Sequence, residues 1–135
     1  MPGEQVFRIA SDWPVLILED TDERVRWFKE RIPQAMVTKS TTQAIEWLEK
    51  RQFKAIFLDH DLGFLDADPT RQHRNGKEIA RYLRIRNYPA MVVIHSHNPD
   101  GVAAMAALLP AAKVARYGTF EIEYYPRNAA PRDLR

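Results

Sequence analysis

An open α/β sheet, parallel throughout and covered by helices on both faces, is the fold this sequence predicts. Three short runs, Val15–Leu18, Ala55–Leu58 and Met91–Ile94, are apolar without alternation, the pattern of strands buried on both sides in a parallel sheet. Between them apolar residues recur at helical spacing, and strands alternating with helices mark parallel βαβ units. A length of 135 residues with 45% hydrophobic content suffices for one buried core, expected as a single domain over 1–135.

After the first strand, Val25, Phe28 and Ile32 share one helical face, and Pro33 ends the helix. Met36–Lys39 reads as a weaker second strand. Over Ser40–Gln52 a capping box, Ser40 with Gln43, opens a helix whose apolar stripe is Ala44, Ile45 and Leu48. The third strand, Ala55–Leu58, leads into a connection from His60 to Arg74. That loop has 15 residues, where a βα loop takes about 2–6. Loops of such length are more often functional than idle, although Asp66–Thr70 would also suit a disordered excursion. Asn75–Gly76 then caps a helix carrying Ile79, Tyr82 and Leu83. The fourth strand, Met91–Ile94, precedes Asn98 and Pro99, which open a helix with Val102, Met105 and Leu109 inward. Val114–Tyr117 is the last, weaker strand. Beyond it Phe120, Ile122 and Tyr124 alternate with Thr119, Glu121 and Glu123, as in an edge strand, and Asn128–Arg135 reads as a loose tail.

Composition excludes several classes. The 20 Lys and Arg against 18 Asp and Glu leave a net charge of +2, too small and too scattered for specific nucleic-acid binding. Without cysteine there is no disulfide frame, thiol chemistry or Cys-based zinc site. The apolar runs are too short to span a bilayer, and Met1–Glu4 lacks the features of a signal peptide. A cytoplasmic domain with no membrane partner is expected. No Walker or dinucleotide fingerprint is present. Asp66-x-Asp68-x-Thr70 begins like a calcium loop, but Arg71 and Lys77 stand where glycine and glutamate are needed.

In open α/β sheets ligands bind beyond the carboxyl ends of the strands. Those ends carry Glu19–Asp20 with Asp22 and Arg24, then Asp59–His60–Asp61, then His95–Ser96–His97–Asn98. All four histidines, 60, 73, 95 and 97, fall on the exits of the third and fourth strands. Carboxylates ending buried strands suffer desolvation unless a cation pairs with them, so Asp20 and Asp59 read as metal ligands. The plainer roles are a helix cap for Asp20 and an acceptor of loop amides for Asp59. Glu19 is an indirect ligand or an exposed neighbour. His95 and His97 share strand parity and, beside carboxylates, suit acid–base work near neutral pH. His60 is a weaker third, His73 a plain loop residue, and the ordinary role for each is structural. Ser96 and Asn98 are candidates for phosphate oxygens, with the helix after Asn98 offering free N–H groups to an anion; Asn98 could equally be only a cap. Arg24, Arg71 and Arg74 are candidate phosphate clamps. Trp13, Trp27 and Trp47 read as packing.

The segment Val15-Leu16-Ile17-Leu18-Glu19-Asp20 resembles the first strand and acidic pair of the response-regulator receiver domain. Phe57-Leu58-Asp59 resembles its third strand, ending in the phospho-acceptor aspartate. Asn75–Gly76 lies where receivers turn into the next helix, and Ser96 where they keep Thr or Ser. Over about residues 14–118 the resemblance implies a flavodoxin-like three-layer fold. Its five-stranded parallel sheet would run in order 2-1-3-4-5, counting Val15–Leu18 as strand one, with 119–135 as an extension. Glu19, Asp20 and Asp59 would then converge, and Asp61 would offer its backbone carbonyl to the metal.

There are departures. Receivers end strand five in a lysine followed by proline, whereas Lys113 starts that strand here and Arg116-Tyr117-Gly118 ends it. Asp59-His60-Asp61-Leu62-Gly63, His95 to Gly101, and Asp20, Asp22 and Arg24 together resemble a particular branch, the cyclic-phosphate-processing receiver domain. That branch implies a metal-dependent phosphoesterase acting on a small cyclic phosphate ester, nucleotide- or ADP-ribose-derived. Mg²⁺ or Mn²⁺ would sit on Asp20 and Asp59 with Glu19 and Asp61, and His95, His97, His60 and Asp59 would be the catalytic groups. His95 is then expected in one cleft with Asp20 and Asp59. The alternative is a non-enzymatic signalling module, phosphorylated on Asp59 or binding a phosphate-containing ligand, against which the missing lysine counts. A zinc site built from the histidines and Asp61 is a third reading.

Overall fold

The computed structural model describes residues 5–60 and 75–126. In chain order its elements are β1 (Gln5–Ala10), β2 (Val15–Leu18), α1 (Asp22–Arg31), β3 (Met36–Thr38), α2 (Thr41–Lys50), β4 (Ala55–Leu58), α3 (Gly76–Arg86), β5 (Met91–Ile94), α4 (Pro99–Leu108), β6 (Lys113–Val114) and β7 (Phe120–Tyr125). Five strands form one parallel sheet, and β1 pairs with β7, also parallel, in a second sheet.

In chain-order numbering the five strands run 3-2-4-5-6, which is the expected succession 2-1-3-4-5 with every strand number raised by one. A strand absent from the sequence reading, β1, precedes the run and takes the first place. Its signal was short: Phe7 and Ile9 turn inward on either side of exposed Arg8. The expected edge strand near Phe120 exists, but it pairs with β1 and not with the larger sheet. Asn75, Asn98 and Ser40 cap their helices as expected from their side chains. The capping box at α2 is only half made, because Thr38 Oγ1, not Gln43, receives the Ser40 N–H at 3.0 Å. Gln43 instead accepts a 2.6 Å bond from Thr38.

Strand alternation sorts the core into two layers. Leu16, Leu18, Ile56, Leu58, Val92 and Ile94 face α2, α3 and α4, meeting Ala44, Leu48, Ile79, Leu83 and Met105. Val15, Ile17, Ala55, Phe57 and Val93 face the other way, onto Phe28 of α1, Ile32 at its end, and Phe7, Ile9 and Phe120 of the β1–β7 pair. One sheet face is therefore covered by three helices, the other by one helix and a two-stranded ribbon. Rings of Phe7 and Phe120 lie 5.5 Å apart in edge-to-face contact, a geometry aromatic quadrupoles favour. On the ribbon's outer side, Arg8 and Glu123 pair at 2.8 Å, but both are well exposed, so the pair contributes little.

Candidate functional site

The site is the next step of the sheet's own register. Leu18, Leu58 and Ile94 are cross-strand partners on β2, β4 and β5. The ladder runs one residue further: Asp59 N–H donates to Leu18 O at 3.2 Å and His95 N–H to Leu58 O at 2.9 Å. Glu19, Asp59 and His95 therefore stand side by side, with the parity of Ile17, Phe57 and Val93, toward α1. Their ligand-type atoms all lie within 4.8 Å of one another, and all three residues are buried.

Glu19 is the most heavily bonded of the three. His95 Nε2 lies 2.8 Å from its Oε1, while Oε2 accepts the backbone N–H groups of Asp20 and Thr21 at 3.2 and 3.1 Å. Arg24 Nη1 stands 4.0 Å from Oε1. Burial by itself would raise the Glu19 pKa, but the His95 hydrogen bond and charge, the Thr21 N–H and Arg24 hold it below the usual value. Asp59 moves the opposite way. Burial, then the charge of Glu19, push it up to about 6, with Asp20 adding to the rise and His95 and the Ser96 hydroxyl opposing it.

His95 is fully buried, and the Phe28 ring packs against it at 5.2 Å. Its Nδ1 has no hydrogen-bond partner among the described residues. His97, with the same strand parity, is exposed. Its Nε2 lies 3.3 Å from the Tyr117 carbonyl; a carbonyl only accepts, so Nε2 carries the proton and Nδ1 is the basic nitrogen. His60 turns to the other sheet face. There its Nδ1 meets the Asn98 side-chain amide at 3.4 Å, and its ring lies so close to Gly101 that a Cβ there would overlap it.

Ser96 is buried, hydrogen-bonded to Asp59 and accepting the Asn98 N–H at 3.1 Å. Asn98 is the cap of α4, its Oδ1 receiving the Gly101 N–H at 3.0 Å and its carbonyl the Val102 N–H at 2.9 Å. With Pro99 lacking an N–H, the first-turn donors that an anion would use there are largely taken within the chain. Asp20 is half-buried beside the cluster and close enough for its charge to reach Asp59; the cap of α1 is Thr21. Asp61, His73, Arg71 and Arg74 lie outside the described residues.

Two neighbours escaped the sequence reading as parts of the site. Phe28 walls His95 in, and Tyr117 ties His97 to Arg24, whose guanidinium carbon lies 4.8 Å from the Tyr117 ring centre. Only the departure at Arg116-Tyr117-Gly118 from the receiver pattern pointed there.

The model of the cyclic-phosphate processing receiver domain matches residues 15–111. No curated protein matches the chain. Among solved structures, the signal receiver domain of a putative LuxO repressor protein from Vibrio parahaemolyticus is 16% identical. The match covers 90% of this chain and 83% of that one, at a TM-score of 0.58. A CheY-like response regulator receiver domain protein from Methanospirillum hungatei JF-1 is 12% identical over 96% and 88% of the two chains, with a TM-score of 0.57. A response regulator from Burkholderia pseudomallei, with a phosphorylated aspartic acid, a calcium ion and citrate, is 12% identical over 91% and 64%, with a TM-score of 0.59. At these identities the likeness is one of fold. No helix among the described residues is long and apolar enough to cross a membrane.

Proposed function

The chain belongs to the cyclic-phosphate processing receiver domain family, and on that premise we propose that it is a receiver-type signalling module accepting a phosphate-bearing group at Asp59. The observation that carries this reading is the buried row of Glu19, Asp59 and His95. Asp59 is only 4% exposed, yet it sits beside a second carboxylate, an arrangement that gains from an added cation. The carboxylates of Glu19 and Asp59, within 4.8 Å of each other and with Asp20 alongside, are an oxygen donor set that fits Mg²⁺ or Mn²⁺. Such a cation, when bound, neutralises phosphate oxygens and makes phosphorus a better electrophile. Asp59 then supplies the attacking oxygen: its bond to phosphorus forms as the bond from phosphorus to the donor's leaving group breaks. Ser96, bonded to that carboxylate, sets its orientation. The Burkholderia relative, with its phosphorylated aspartic acid and calcium ion, supports the same chemistry on this fold. The phosphorylated form would be read by a protein partner.

A second reading, hydrolysis of a cyclic phosphate ester, draws on the family's description and on exposed His97. There, His97 Nδ1 takes a proton from water as the water oxygen bonds to phosphorus, the ring P–O bond breaks, and the leaving oxygen takes up a proton from solvent. His95 is buried and bonded to Glu19, so in either reading it acts by holding Glu19 and does not touch water.

Incubation with acetyl phosphate and Mg²⁺, followed by intact-mass and peptide mass spectrometry, tests the first reading. Phosphorylation of the wild type at Asp59, absent in Asp59→Asn, is the expected result. Phosphorus NMR of a panel of cyclic phosphates under the same conditions tests the second, and turnover lost in His97→Ala would favour it. A protein that neither takes up phosphate on Asp59 nor opens a cyclic ester would overturn both.

A further inference from the structure

We propose that Arg24, held by the ring of Tyr117, is the side chain that contacts the phosphate at Asp59. The inference rests on the phosphate reading of that site. Arg24 lies in the first turn of α1, with its side chain 21% exposed. Its nearest charge among the described residues, Glu19 Oε1, is 4.0 Å away, beyond hydrogen-bond length. Glu19 does not need it, since both carboxylate oxygens already accept hydrogen bonds from His95 and from the α1 entry. Of the influences that lower the Glu19 pKa, Arg24 is the smallest.

What fixes Arg24 is a cation–π contact with Tyr117, the guanidinium carbon lying 4.8 Å from the ring centre. Tyr117 is itself held three ways, once through its ring and twice through its backbone. Trp27, on the same helix as Arg24, meets it edge-on at 5.5 Å. The Tyr117 N–H reaches the His95 carbonyl at 3.4 Å, and the Tyr117 carbonyl receives His97 at 3.3 Å. The guanidinium is thus pre-positioned one carboxylate away from Asp59 by a contact with an aromatic ring, which takes up none of its N–H groups in a hydrogen bond to a charged partner. A contact of that kind restrains the planar donor fork that matches phosphate oxygens, and pre-positioning reduces the ordering cost of binding. The ligand class is a tetrahedral, multiply charged phosphoryl group seated on or against Asp59.

Beryllium fluoride with Mg²⁺, a phosphoryl mimic that binds aspartate, is the probe, and fluorine NMR titration gives the affinity. The Arg24→Met change is expected to weaken binding by about 10–100-fold, the scale of a lost hydrogen bond to a charged group. Tyr117→Phe keeps the ring and wild-type affinity, whereas Tyr117→Leu loses about 2–10-fold. Introduced on top of Arg24→Met, Tyr117→Leu should have no further effect, because its influence passes through Arg24. Thermal melting confirms that each variant folds, and Arg24→Gln serves if Arg24→Met does not. Wild-type affinity in the Arg24 variants overturns the assignment of Arg24. An equal loss from Tyr117→Leu in both backgrounds overturns the positioning role of Tyr117. Absence of beryllium fluoride binding by the wild type strikes the Asp59 reading itself, so the two failures are distinguishable.

Discussion

At Asp59, burial and the neighbouring charges of Glu19 and Asp20 outweigh the help from His95 and Ser96, and the pKa rises from 3.8 to about 6. A carboxyl that holds its proton more tightly when folded makes the folded state bind more protons than the unfolded chain between those two values. Stability therefore falls as pH rises from about 4 to about 6, and the full penalty is present above that. Asp59→Asn removes the charge while keeping the shape. It should stabilise the protein at pH 7, in the absence of divalent cations, by on the order of 2–3 kcal/mol. Urea denaturation of both proteins would show the gap closing below about pH 4, and closing in part when Mg²⁺ is added to the wild type at pH 7. Equal stability at pH 7 and pH 4 would contradict the account. Glu19 works in the opposite sense. Its lowered pKa contributes stability that is complete above 4.5 and is lost as pH falls through the folded-state value. Two carboxylates of one row thus differ because one is surrounded by donors and the other is not.

One helix end shows how secondary structure reaches the site. Asn75 caps α3 by accepting the Lys77 N–H at 2.9 Å, and the Gly76 N–H donates to the His60 carbonyl at 3.0 Å. These bonds draw the helix start against the strand exit so closely that a Cβ on Gly76 would overlap the Asp59 carbonyl. Glycine is required there for space, not for an unusual backbone angle. Gly76→Ala should therefore push α3 away from Asp59 and cost about 1–3 kcal/mol, as overpacking does. Asn75→Ala should cost about 1 kcal/mol through the lost cap. Only the first should move the Asp59 amide resonance strongly, and an unshifted Asp59 amide in Gly76→Ala would show that the contact is not a constraint.

Across the whole molecule, the unexpected feature is the β1–β7 ribbon on the α1 side of the sheet. It joins the two ends of the described chain, register-paired from Gln5 with Phe120 to Ala10 with Tyr125. It also closes the core over Phe57, which lies 6.3 Å from both Phe7 and Phe120. Each strand covers apolar surface that the other leaves open, so they should contribute jointly. Phe7→Ala and Phe120→Ala are each expected to cost about 3–5 kcal/mol, with the double variant costing less than the sum because the rings touch. Chemical denaturation of the three variants measures this, and strict additivity would mean that the strands stabilise the fold independently.

Local pattern alone determined much of this protein. Unbroken apolar runs marked β2, β4 and β5, because strands buried on both faces have no polar side to alternate. Asn75, Asn98 and Ser40 announced their helices through side chains that satisfy orphan N–H groups. Polar residues immediately after those strands located Glu19, Asp59 and His95, since a change from apolar to ionisable at a strand end is itself sequence information. The tertiary structure decided the rest. Partners of β1 and β7 lie more than a hundred residues away, and a short strand in a two-stranded sheet carries too little periodicity to reveal its neighbour. Which of the clustered histidines is buried followed from register and from Phe28, so His95 became a partner of Glu19 while His97 faced outward. Tyr117 joined the site only because α1 and the segment after β6 meet in space, bringing together side chains that no spacing along the chain connects.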